Sequence, residues 1–195
     1  MCIRDRFWDD QLAENGCEIM KSRMATVNRL SSLLKPFHIQ LGAAEESLQL
    51  LYRPTIPIEN DTPTSDSILL ALEGSRTRDI SQGATSIGPH RDDMSILINQ
   101  NVASRYASRG QARTAVLAIK LAESAYLKER RESEPLLLLD DLLSELDTVR
   151  RGQIMEHIIQ YKQCIVTTAE LDSVPNKYIS VANNLRVNNG IIIPV

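Results

Sequence analysis

Four consecutive leucines, Leu136–Leu139, run directly into two carboxylates, Asp140 and Asp141, and a second acidic turn, Ser144-Glu145-Leu146-Asp147, follows. A short, wholly apolar run of this kind fits a strand buried on both faces of a parallel sheet. Acids at the carboxyl end of such a strand stand where open α/β sheets take their ligands. Side chains alternate along a strand, so two adjacent acids serve one site only at its fraying end. Paired there, they suit a magnesium nucleotide: one acid holds the metal and the other orients a water. The same string also fits a plain polar strand end at a helix entry. A phosphate loop G-x-x-x-x-G-K-[ST] should accompany such a nucleotide site, and the 195 residues contain none.

The chain is long enough for one large domain or two small ones. With 43% apolar and 24% charged residues it has the composition of an ordinary globular protein. A net charge of −3 gives no global basic signal, so a nucleic acid would have to meet a local patch or a surface completed by other segments. Cys2, Cys17 and Cys164 are scattered and odd in number, which supports neither a disulfide framework nor a zinc site and points to a reducing compartment. The longest apolar runs are too short to span a bilayer, and Met1–Arg6 is followed by no apolar signal core. No membrane association and a cytoplasmic location are expected.

Residues from about Trp8 to Leu51 read as helical, with Leu12, Ile19, Met24, Val27, Leu30 and Leu34 forming one stripe. Pro36 is expected to break or kink that pattern, and a second helical piece runs from Ala43 to Gln49 before Leu50-Leu51-Tyr52 turns extended. Pro54, Pro57 and Pro63 mark an irregular crossing. Ser65 or Asp66 caps a short helix through Leu72. Asp93–Ile98 and Val102–Tyr106 read as a hairpin around Asn99-Gln100-Asn101. A long helix from Gln111 to about Arg131 presents Val116, Ile119, Leu121, Ala122 and Leu127. Ser144 then caps a helix carrying Ile154, Ile158 and Tyr161, with Asp147 at its third position. Cys164-Ile165-Val166 is a further buried strand, so residues 136–167 make a βαβ unit. Tyr178–Val181 and a hairpin of Leu185–Val187 with Ile191–Ile193, around Asn188-Asn189-Gly190, close the chain.

Ser108-Arg109-Gly110-Gln111 opens the long helix. A serine and a glycine at a helix start expose backbone N–H groups at the positive end of the dipole, which is an anion site or an ordinary N-cap. His90 and Arg91 sit just before a strand; Arg91 suits a phosphate or DNA contact, or a pairing with Asp92, Asp93 or another acid. His38 and His157 have no partners at catalytic spacing and read as structural. Lys128, Arg130 and Arg131 first read as a solvated helix end and second as a DNA patch.

The order of these parts is specific. Ser108-Arg109-Gly110-Gln111, a helix, Leu136–Asp141 and then Ser144-Glu145-Leu146-Asp147 resemble the signature motif, Walker B strand and D-loop of an ABC-type ATPase. Arg109 and Ala107 depart from the usual LSGGQ string. Gly88-Pro89-His90-Arg91-Asp92-Asp93, Ser108–Thr114 and Leu137–Asp147 resemble the RecF family of bacterial DNA replication and repair ATPases. Trp8-Asp9-Asp10-Gln11-Leu12-Ala13, with Gly16 and Arg23, resembles the segment that opens part of the family's helical lever domain. The resemblance runs from about Phe7 to the C-terminus and leaves Met1–Arg6 unmatched.

That resemblance implies an α/β fold: a partial ABC-ATPase, P-loop-NTPase-like head lobe with parallel strands at 84–195, preceded by a mostly helical lever-type segment at 7–83, with 1–6 as a stub. It implies a C-terminal portion of a weak ATPase whose Walker A loop lies upstream of Phe7. It further implies ATP and Mg²⁺ as cofactors, ATP-dependent homodimerisation, binding to single-stranded, gapped or linear double-stranded DNA, other recombination-mediator partners, recombinase loading and SOS induction. By the same resemblance Asp140 holds the metal and Asp141 orients the attacking water. Ser108, Gly110 and Gln111 meet the γ-phosphate bound to a partner protomer, and Asp147 lies at the dimer seam. Thr167 reads first as satisfying strand-end backbone groups and second as reaching a γ-phosphate through water. Thr167-Thr168 stands where many ABC ATPases carry a switch histidine, which argues against a transporter-like mechanism. The 195 residues alone are expected to be inactive. The rival expectation is a non-enzymatic ABC-like interaction module that binds a partner ATPase or DNA.

Overall fold

The computed structural model describes residues 3–58, 62–131, 133–143 and 146–194, with side chains described from residue 7 onward, that of Ser173 excepted. Its elements in chain order are α1 (Ile3–Gln40), β1 (Leu48–Arg53), α2 (Ser65–Gln82), β2 (Asp93–Ile98), β3 (Asn101–Val102), α3 (Ala103–Tyr106), α4 (Arg109–Arg131), β4 (Leu137–Asp140), α5 (Thr148–Ile158), β5 (Cys164–Thr167), α6 (Asn176–Ile179), β6 (Leu185–Asn188) and β7 (Ile191–Pro194). They fall into two compact units, Met1–His38 with Glu45–Ala122, and Ile39–Ala44 with Glu123–Val195. The α/β class with a parallel strand pair is the class expected.

In the first unit, α1 buries Ala13, Cys17, Met20, Val27, Leu34 and His38, each 8% exposed or less. These positions repeat every three to seven residues on one face. The stripe differs from the one expected. Ile19 is 43% exposed, because alanine, cysteine and histidine lie on the side where α1 meets its neighbours. Ala13, Cys17 and Met20 pack with Ile56, Ile68 and Leu72 into one core cluster. Pro36 does not end α1, which continues to Gln40 between the buried Leu34 and His38.

The helix expected over 43–49 is replaced by a turn and by β1. Leu48 and Leu50 are buried, and β1 pairs antiparallel with β2 from Leu48↔Ile98 to Arg53↔Asp93. Cross-strand pairing and burial on alternate residues outweigh local helix propensity here. α2 begins one residue later than its cap, Thr64, which exchanges hydrogen bonds with Ser67 in a capping box. It runs ten residues past Leu72, to Gln82, and the left-handed φ of 65° at Gly83 terminates it. The β2–β3 hairpin turns at Asn99 and Gln100, φ 49° and 65°, a pair of left-handed residues that fits a primed two-residue turn. Its second strand lasts two residues rather than five, since Ala103–Tyr106 coils into α3.

A knot of polar bonds fixes Gly88–Asp92 in the same unit. The Asp92 carboxylate accepts from the Tyr52 hydroxyl, and its Oδ1 accepts from Thr55 N–H and Thr55 Oγ1, both at 2.8 Å. Thr55 Oγ1 in turn accepts from Gly88 N–H at 2.9 Å. Arg23 of α1 donates to the Pro89 carbonyl. Pro89 packs against α1 beside Gly16, where an added Cβ would meet Pro89 Cγ at an ordinary 3.5 Å.

In the second unit, β4 and β5 pair in parallel from Leu137↔Cys164 to Asp140↔Thr167, with α5 between them in sequence. Leu137 and Leu139 are buried, whereas Leu136, Leu138 and Ile165 are 48%, 63% and 49% exposed. The strands are therefore apolar on two faces but buried on one, because the sheet has two strands and one covered side among the described residues. α5 buries Ile154, Met155 and Ile158. Tyr178 is buried in α6. β6 and β7 form the expected hairpin about Asn189 and Gly190, φ 48° and 79°. Both its faces are open, with Leu185, Val187, Ile191 and Ile192 each over 60% exposed.

Two measurements check the knot. Gly88 has φ 117°, and an added Cβ would lie 3.3 Å from the His90 ring, so Gly88→Ala should lower stability by about 1–3 kcal/mol. Gly16→Ala meets only ordinary contacts inside a helix and should raise stability by about 0.5–1 kcal/mol, a contrast read from urea midpoints. Burial, and then the hydrogen bond to Asp92, push the Tyr52 phenol up to about 12. Its stabilising contribution is therefore complete below pH ~10, the ordinary phenol value, and is lost as pH climbs through about 12. A phenolate absorbance titration should lose its last-ionising group in Tyr52→Phe; an unchanged curve rejects the assignment.

Candidate functional site

Parallel pairing sets the acids in place. Asp140 ends β4 directly beside Thr167, the last residue of β5, and Thr167 Oγ1 donates to Asp140 Oδ1. Asp141 leaves the strand with a left-handed φ of 46°, a conformation aspartate tolerates better than most side chains. Its N–H closes back on β5, reaching Thr167 O at 3.2 Å and Thr167 Oγ1 at 3.1 Å. Asp140, Asp141 and Thr167 are all exposed at this edge. Strand alternation would have sent the two acids to opposite faces; the turn at Asp141 removes that constraint.

This set offers hard oxygen donors. Among the described residues no group of three or more His, Cys, Asp and Glu side chains is placed to hold a metal. Magnesium is commonly held by one or two carboxylates with water and phosphate completing its shell, so Asp140 beside a threonine hydroxyl fits that ion. A carboxylate has about four lone-pair sites, and the bond from Thr167 uses one.

Asp147 has a local task. It caps α5: Oδ1 accepts from Val149 N–H at 3.1 Å and Arg150 N–H at 3.0 Å, and Oδ2 lies 3.4 Å from Arg150 Nη1. The Arg150 amide, first among its partners, holds the carboxyl below its ordinary range. The helix expected to start at a Ser144 cap thus starts at Thr148, because a carboxylate accepting two amides at Asp147 closes the first turn. Ser144 and Glu145, and with them the expected cap and half of the acidic turn, lie outside the described residues.

In the first unit, Ser108 and Gln111 build a reciprocal cap at the start of α4. Gln111 N–H donates to Ser108 Oγ at 3.2 Å, and Ser108 N–H donates to Gln111 Oε1 at 2.9 Å. Gly110 sits in the first turn, and its carbonyl accepts from the buried Thr114 hydroxyl at 2.9 Å. Behind the cap, α4 buries Ala115, Leu117, Ala118, Leu121 and Ala122, while Val116, expected inside, is 52% exposed. A cleft of about 110 Å³ lined by Ile98, Asn99, Asn101, Tyr106, Ala107 and Gln111 opens beside the turn. It is smaller than the few hundred Å³ that enclose a whole ligand.

His90 and Arg91 are exposed, and both reach the Thr85 carbonyl, Arg91 through Nε at 3.0 Å. Asp92, one residue on, carries the knot instead. Lys128 pairs with Glu134, whose other oxygen accepts from Lys162 N–H at 2.9 Å, and Arg130 lies over the Tyr126 ring. Lys128 and Arg130 at the basic end of α4 are thus engaged locally. Glu46, which accepts from Gln111 Nε2 at 2.8 Å, was not singled out from the sequence; it lies in the irregular connection that replaces the helix expected over 43–49.

No protein-family model matches the chain. The DNA replication and repair protein RecF of Nostoc punctiforme is 38% identical over 189 residues, 96% of this chain and 50% of that protein. RecF of Streptococcus pneumoniae strain CGSP14 is 41% identical over 168 residues, 86% of this chain and 46% of that protein. A solved structure described as the recombination mediator protein RecF-ATP in the RecFOR pathway superposes with a TM-score of 0.81 at 30% identity, over 97% of this chain and 49% of the other. The chain spans about half the length of the curated relatives it matches. It is a homologue of RecF over nearly all of its residues, consistent with a C-terminal portion of such a protein and with part of an ABC-ATPase head.

Proposed function

We propose that this chain supplies the acid wall and the signature wall of a RecF-like ATPase that binds ATP and DNA and helps load recombinase at gapped DNA. The observation that carries the reading is the cluster of Asp140, Asp141 and Thr167 at the carboxyl edge of the parallel β4–β5 pair. Asp140 would hold Mg²⁺, which supplies charge neutralisation at phosphate oxygens when bound. Asp141, turned out of the strand, would accept a proton from, and orient, an attacking water. Thr167 holds Asp140 in place and would reach a γ-phosphate through water. Ser108, Gly110 and Gln111 would face the γ-phosphate held by a second protomer, with the α4 dipole adding to the attraction. Asp147 would lie at the seam between protomers while capping α5.

On this reading ATP joins two heads and hydrolysis releases them, in a cytoplasmic protein of DNA repair, replication, recombination and the SOS response. Residues 7–83 would act as the lever-type segment and 84–195 as the ATPase lobe. The open apolar faces of β4–β5 and of the β6–β7 hairpin suit further sheet strands from the rest of a RecF-like protein. The resemblance of the RecF-ATP structure supports the cofactor, and the RecFOR pathway named with it supports DNA and mediator partners.

A second reading, a non-enzymatic interaction module, is favoured by one observation: Ser108, Gln111 and Asp147 are all committed to helix caps. Two experiments separate them. The 195-residue chain contains no phosphate loop. Titration calorimetry should give no measurable ATP heat for it alone and Mg-dependent heat once a RecF N-terminal half is added; tight binding by the chain alone rejects this division of the site. In an intact RecF-like protein carrying these residues, Asp140→Asn should lower Mg-dependent turnover by about 10²-fold or more. Unchanged turnover removes Asp140 from the site.

A further inference from the structure

The amide of Gln111 is used at both ends. Its Oε1 accepts from Ser108 N–H at 2.9 Å, while its Nε2 donates to Glu46 Oε1 at 2.8 Å. Reversing the amide would set a carbonyl oxygen against a carboxylate and two N–H groups against each other, so a single orientation survives. Glu46 is itself held. The next residue, Ser47, exchanges bonds with the β2–β3 turn: Ser47 N–H donates to Asn99 Oδ1 at 2.8 Å, and Asn99 N–H donates to Ser47 O at 2.9 Å. The wall behind the carboxylate is His38, 1% exposed, with Nε2 3.7 Å from Glu46 Oε2. Burial, opposed in part by Glu46, keeps that imidazole below its ordinary value and so neutral at pH 7. All these residues belong to the first unit.

We propose that Glu46 is a positioning residue: braced by His38 and the Asn99 turn, it orients Gln111 and through it the Ser108–Gln111 turn. The bond from an amide to an ionised carboxylate is stronger than one between neutral groups, so the carboxylate and not the solvent decides where Gln111 points. The lever-type helix α1, which carries His38, is thereby connected to the turn that opens α4. The consequence for nucleotide contact rests on the proposed function, in which that turn faces a γ-phosphate; the local geometry does not.

The test measures the geometry directly. In the ¹⁵N-labelled 195-residue chain, Glu46→Ala should make the Ser108 amide exchange about fivefold faster and shift the Gln111 side-chain NH₂ signals. Glu46→Gln keeps an acceptor for Gln111 and should restore Ser108 protection to within about twofold of the parent. Glu45→Ala, at the exposed neighbour, should leave both signals unchanged. Unaltered Ser108 exchange in a folded Glu46→Ala chain overturns the proposal, as does a Glu46→Gln chain that exchanges as fast as Glu46→Ala. If Glu46→Ala fails to fold, Glu46→Leu, which keeps the side-chain bulk without an acceptor, takes its place with the same expected and overturning results. Because nothing in these readouts involves ATP, their failure is distinct from failure of the nucleotide reading.

Discussion

The parallel pairing of β4 with β5 is the constraint on which the acid site depends. Four residue pairs long, it brings Asp140 to Thr167 across 27 positions of sequence and gives Asp141 a partner for its N–H. Without that register the carboxylates would be two consecutive strand residues facing opposite ways. With it, a threonine hydroxyl orients one acid while a left-handed backbone turn releases the other. The helix between the strands starts where Asp147 closes its first turn, so the same acidic run that ends β4 begins α5.

The first unit is organised around polar knots rather than apolar bulk alone. Asp92 ties Tyr52 and Thr55, Thr55 ties Gly88, and Arg23 ties Pro89 to α1. Glu46 ties the start of α4 to the connection after α1. Each knot joins segments far apart in sequence and satisfies groups that would otherwise be costly to withdraw from water. The two knots share a consequence: Gly88–Asp93 and the start of α4 are both held by side chains from before residue 60.

Local patterns were legible where a few neighbouring residues decide the outcome. Ser108 at the start of α4 reads as an anion site or an ordinary N-cap, and it caps the helix, with Gln111 returning the bond. Asn189-Gly190 between apolar runs is a hairpin turn, and it forms. Patterns failed where the partner surface decides. The buried face of α1 uses Ala13, Cys17 and His38 in place of Ile19, because close packing against α2 and β1 favours small and shaped side chains over hydrophobic ones. Leu48–Arg53 is a strand because β2 lies beside it, and within Val102–Tyr106 only Val102 is extended, because Ala103–Tyr106 coils into α3.

The sequence by itself determined the inventory: an acid pair after an apolar strand, a serine–glycine–glutamine helix start, and the βαβ order that makes a parallel pair. These follow from propensity, alternation and capping, which act over a few residues. Tertiary structure alone decided which oxygens meet. Thr167 stands beside Asp140 through strand register, and Glu46 reaches Gln111 from 65 positions away. Such contacts depend on directions in space that no local pattern encodes, because a hydrogen bond is decided by distance and angle between groups the chain brings together only on folding.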